Sequence, residues 1–165
     1  MHKTDFSPMK SEHPSSSNFQ STDFELALIK AASIELCAEL MRESILIPGC
    51  THPVQVDGVS RSASPPLLAE AYAHIGKLKG SQSDKLAQDI LKLSLIKELC
   101  EEFKEARLVM VFPKQSTGPS GWLKVAAQTR GAVLLPVTID PDLIQKLLPI
   151  RRKQGGWTMR TDVES

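Results

Sequence analysis

The segment Arg107 to Phe112, reading RLVMVF, is an apolar run of strand length closed by Pro113. A run with no polar alternation is the mark of a strand covered on both faces. A second apolar strand follows over Ala132 to Ile139. Between the two, Gly118 to Gly121 opens a shorter helix that passes through Trp122, Leu123 and Ala127 and is ended by Gly131. Strand, helix and strand in that order imply parallel pairing with a right-handed crossover. Asp140 and Pro141 then supply an N-cap and a first-turn proline for a last helix, reaching Ile150 or beyond despite Pro149.

Upstream, the periodicity through Leu86, Ile90, Leu93, Ile96 and Leu99 or Cys100 predicts a long helix from Asp84 to Lys104, preceded by a Gly/Lys/Ser connection over Gly76 to Ser83. Leu67 to Ile75 reads as a strand with Glu70, Tyr72 and His74 at period two on one face. Val54, Val56 and Val59 surround Asp57-Gly58 and predict another strand, although an Asp-Gly pair also fits a hairpin turn. A first helix is expected from Thr22 or Asp23 to about Ser44 through Leu26, Ile29, Leu36 and Leu40, with Glu35, Glu39 and Glu43 as a solvated row. Ile45 to Ile47 fits either a helix end or a brief strand.

With 165 residues, the chain is expected to hold one α/β domain over residues 23–153, between a disordered tail over 1–22 and a flexible tail over 154–165. No stretch nears the roughly 18 apolar residues of a membrane span, and the polar N-terminus lacks an apolar signal core, so a cytoplasmic protein is expected. A net charge of +1 supplies no global basic field, which confines any nucleic-acid contact to local patches. The cysteines Cys37, Cys50 and Cys100 have no CxxC spacing and read as reduced thiols, Cys37 and Cys100 in the core. Cys50 and His52 fit half a metal site or, more simply, a loop thiol beside a surface histidine. GxGxxG, Walker A and GxSxG motifs are all missing, which removes the simplest nucleotide-binding and hydrolase readings.

Two acidic residues on consecutive strands, Asp57 and Glu70, ahead of a lysine-bearing helix, are the chemical core of the pattern. Carboxylates that meet at one end of a sheet suit a hard divalent cation. This α-β-β-α-β order resembles the restriction-endonuclease-like superfamily with its PD-(D/E)xK motif. The resemblance implies a three-layer α/β/α core with a mixed central sheet and metal-dependent hydrolysis of DNA or RNA. It also implies magnesium or manganese on Asp57 and Glu70, and a glutamate from the first helix, matched by Glu25, with Glu35 or Glu39 as alternatives.

Where the motif has its lysine this chain has Tyr72. With a pKa near 10, a tyrosine is a poor activator of water at neutral pH. Lys85, and after it Lys79, are the lysines expected to take over the role, with Lys77, Tyr72, His74 and Arg61 near the substrate phosphates. Two alternatives remain open, a non-catalytic relative that binds nucleic acid or protein and a purely structural polar strand face, and a homodimer is compatible with any of these readings. Trp122 and Trp157 are the aromatic side chains best suited to a protein partner.

Overall fold

The computed structural model describes residues 16–75 and 80–145. In chain order they form α1 (Ser16–Glu35), β1 (Met41–Ile45), β2 (Val54–Ser60), β3 (Leu67–Ala71), α2 (Gly80–Leu99), a 3-10 turn (Glu101–Phe103), β4 (Arg107–Pro113), α3 (Trp122–Thr129) and β5 (Ala132–Val137). Residues 141–145 open a further helical segment, in which Asp142 N–H donates to Asp140 Oδ1, as the Asp-Pro start implies. The expected extension to Ile150, the tail over 154–165, and Lys77, Lys79 and Trp157 lie outside the described residues, as do residues 1–15 of the expected tail over 1–22, whose remainder is helix.

All five strands form one mixed sheet in the order β1-β2-β3-β4-β5. β1 with β2 and β2 with β3 are antiparallel, whereas β3 with β4 and β4 with β5 are parallel, so β2 alone runs against the others. The expected neighbours β2 and β3 do pair, and Asp57-Gly58 is strand rather than hairpin turn.

Helices cover both faces. Phe24, Leu28, Ile29 and Ala32 of α1 pack on Ala69, Val109 and Val111. On the opposite face Leu86, Ile90, Leu93 and Ile96 of α2, with Leu123 and Ala127 of α3, pack on Val56, Leu68, Leu108 and Met110. β4 thus sends Val109 and Val111 one way and Leu108 and Met110 the other, which is why its sequence has no polar alternation. Each fully buried Leu or Ile contributes about 1.5–3 kcal/mol, so these two apolar layers are the main term holding the helices to the sheet.

The first helix departs from expectation at both ends. It starts at Ser16, ahead of Thr22, and stops at Glu35, well short of Ser44. Its end is a Schellman motif, with Cys37 N–H donating to Ile34 O and Ala38 N–H to Ser33 O around Cys37 at φ 49°. Glycine ordinarily marks that left-handed position; a cysteine there hides the stop, and it leaves Cys37 exposed rather than in the core. Met41–Ile45 is then an edge strand, and the row Glu35, Glu39, Glu43 is broken between two elements. Cys100 is buried as expected. α2 starts at Gly80, inside the presumed connection, and ends at Leu99, the 3-10 turn taking the rest of the expected helix.

Candidate functional site

β2 carries a bulge at Asp57. Val56 and Val59 face the same core layer although they are three residues apart, and the β1–β2 register slips between Met41 and Glu43 opposite them. The β2–β3 register runs over Gly58↔Ala69, Val59↔Leu68 and Ser60↔Leu67. Past it the Ala71 N–H donates to Asp57 Oδ2 at 3.1 Å, a side chain standing in for a backbone ladder partner. Arg42, on the edge strand β1, donates to Asp57 Oδ1 at 3.3 Å and to Glu25 Oε2 of α1 at 3.5 Å.

Glu70 lies on the α2 side of β3 and is 2% exposed. Lys92 Nζ stands 2.7 Å from its Oε1, donates to the Gln55 carbonyl at 2.9 Å and lies 3.4 Å from Asp89 Oδ1. Lys85 Nζ donates to the other Asp89 oxygen at 3.0 Å. Lys85, Asp89 and Lys92 fall at i, i+4 and i+7, one line along α2 that is laid over the end of β3.

The charges act on one another. Burial, then the neighbouring Asp57, pushes the Glu70 carboxyl up to about 8, against the opposing pull of Lys92. Glu25 is raised by burial and by Asp57, with Lys85 and Arg42 working the other way. For Lys85, burial favours the neutral amine, but Asp89, Glu25 and Asp57 together outweigh it and hold the lysine above its ordinary value. Lys85 is therefore a standing positive charge and not a base. Glu25, Asp57, Glu70 and Asp89, from α1, β2, β3 and α2, thus share one electrostatic cluster with Arg42, Lys85 and Lys92. The chain matches no protein-family model, no curated protein and no solved structure.

Of the residues singled out from the sequence, Glu25, Asp57, Glu70 and Lys85 come together. Others do not. Tyr72 follows Glu70 on the same face but is buried in the α2-side core. β3 ends at Ala71, and the chain turns as His74 N–H donates to Tyr72 O, which removes His74 from the strand face. The His74 ring packs at 5.8 Å from Tyr72, with Nδ1 3.0 Å from the Gln82 amide. Arg61 is bound to Glu43 and Glu102 above the Phe103 ring, past the opposite end of β2. Glu35 and Glu39 are exposed and take no part. Cys50 is exposed, His52 pairs with Thr51, and no three His, Cys, Asp or Glu side chains among the described residues form a metal-holding group.

Arg42, Asp89 and Lys92 were not legible as site residues. The one available signal was the Lys85, Asp89, Lys92 spacing, a polar line beside the apolar stripe of α2. A cavity of about 470 Å³ lies elsewhere, lined by Ser94, Lys97, Lys104 and Arg130. Its Lys104 and Arg130 are already paired with Glu101 and Glu98, and none of its lining residues belongs to the carboxylate cluster.

Proposed function

We propose that this chain is a restriction-endonuclease-like domain that hydrolyses a phosphodiester bond of nucleic acid with a divalent cation. The observation that carries the reading is the convergence of Glu25, Asp57, Glu70 and Lys85 at the place where β2 leaves β3. The strand order and the helices on both faces of the sheet support the fold part of the proposal.

The donor chemistry fits magnesium or manganese, which take one or two carboxylates and complete their shell with water and phosphate oxygens. It does not suit zinc, which favours His and Cys. Asp57 and Glu70 would hold the ion. When bound, it would acidify a water and offset charge on the phosphoryl oxygens. The chain's own groups supply the rest: Ala71 N–H and Arg42 orient Asp57, and Lys85, fully protonated and half exposed, attracts a phosphate. Tyr72 is too deeply buried to act as the missing motif lysine, so that role falls to Lys85.

The test is cleavage of single- and double-stranded DNA and RNA with added magnesium or manganese by the wild type, Asp57→Asn and Lys85→Ala. Cleavage that falls at least about 100-fold in each variant is expected, the size of effect seen when one transition-state charge is removed. A wild type that is folded by circular dichroism but inert on every substrate refutes the enzyme. One observation favours a second reading, a binding module without catalysis: the Glu70 carboxyl already has a cation, Lys92, beside it. Retained nucleic-acid affinity without cleavage would select that reading.

A further inference from the structure

Lys92 is placed as a metal ion would be. Its ammonium touches oxygens from three separate elements: Glu70 Oε1 of β3 at 2.7 Å, the Gln55 carbonyl of β2 at 2.9 Å and Asp89 Oδ1 of α2 at 3.4 Å. Two carboxylates and a backbone carbonyl are the oxygen donors that a hard cation selects. Glu70 Oε1 is fully buried, and the Lys92 ammonium is the cation seated beside it.

We propose that Lys92 is a built-in cation that occupies a divalent-cation seat at Glu70, Asp89 and the Gln55 carbonyl, so that the ion and the ammonium exclude one another. The inference rests on the reading of Glu70 as a cation ligand, but not on any cleavage. Three features make exchange feasible. The Lys92 side chain is 23% exposed against 2% for Glu70, so it lies nearer the surface than the carboxyl it contacts. Its four-carbon stem is flexible, and an ammonium is well hydrated once released. Asp89 keeps a second partner in Lys85 when Lys92 leaves. With all four carboxyls ionised, Glu25, Asp57, Glu70 and Asp89 face Arg42, Lys85 and Lys92, so withdrawing Lys92 leaves a deficit that one divalent ion matches.

The probe is manganese, followed by the loss of the free-ion electron paramagnetic resonance signal, with the full chain at pH 8.5. Lys92→Met, which keeps the stem and removes the charge, is expected to bind manganese at least about tenfold more tightly than wild type. Lys92→Met with Glu70→Gln is expected to lose that gain. Because Lys92→Met could fail to fold, the wild type carries a second measurement: saturating manganese should speed acetylation of the Lys92 amine by an N-hydroxysuccinimide ester, read by peptide mass spectrometry.

Equal manganese affinity of wild type and Lys92→Met, or no binding by either, overturns the proposal. So does, in wild type, a Lys92 acetylation rate that manganese leaves unchanged. Cleavage by a wild type whose Lys92→Met variant gains no affinity would keep the nuclease and remove the lock. Tighter binding with no cleavage by any variant would do the reverse.

Discussion

Replacing Glu70 by Gln tests whether this carboxyl is held neutral by its surroundings. It is 2% exposed and raised from an ordinary 4.5 to about 8 by burial and by Asp57. Below pH 4.5 the group is protonated in both the folded and unfolded chains and has no effect on the pH dependence. Between 4.5 and 8 the unfolded chain gives up the proton while the folded chain keeps it, so stability falls as pH rises. Above 8 the full cost of an ionised buried carboxylate is present, about 5 kcal/mol at 1.36 kcal/mol per pH unit. Glutamine is close in shape and cannot ionise. Glu70→Gln should therefore be within about 1 kcal/mol of wild type at pH 5, more stable by about 3 kcal/mol at pH 7, and by about 3–5 kcal/mol at pH 9. Urea unfolding followed by circular dichroism at the three pH values measures this. The other titrating groups are common to both proteins and largely cancel in the difference. Two stability curves that run parallel from pH 5 to pH 9 would refute the claim that burial governs this carboxyl.

Three further substitutions probe the fold around the cluster. Cys37→Gly should raise stability by about 0.5–1 kcal/mol, seen as a melting temperature higher by about 1–4 °C, because φ 49° strains any residue with a Cβ. An unchanged or lower melting temperature would count against the Schellman stop. Gly58→Ala should cost about 1–3 kcal/mol in denaturant unfolding, since its Cβ would meet Ile29 Cδ1 at 3.1 Å, Leu40 Cβ at 3.2 Å and Ala69 Cβ at 3.3 Å. A neutral result would mean that α1 does not close over β2. Tyr72→Lys should unfold the chain or cost about 3 kcal/mol or more, because it places an ammonium in the core under α2; a stable variant with new cleavage would show that position 72 reaches the substrate after all.

Local patterning determined much of this protein. The apolar runs at 107–113 and 132–137, the stripe of α2 and the valines around Asp57 each report their element through near neighbours in sequence. Asp57 and Glu70 were legible because a carboxylate inside an apolar strand is conspicuous on its own. Lys92 and Asp89 were not, since lysine and aspartate on a helix read as a solvated face until the helix is laid across the end of a sheet. Arg42 is hidden by a helix that stops at a cysteine instead of a glycine, so that in sequence its strand continues the helical pattern. The raised Glu25 and Glu70, the seat of Lys92 and the turn that withdraws His74 come from groups that the tertiary fold brings together across long stretches of chain. Burial and charge coupling depend on distance in space, which sequence periodicity does not encode, so only the packed structure decides which of many ordinary charges confront one another.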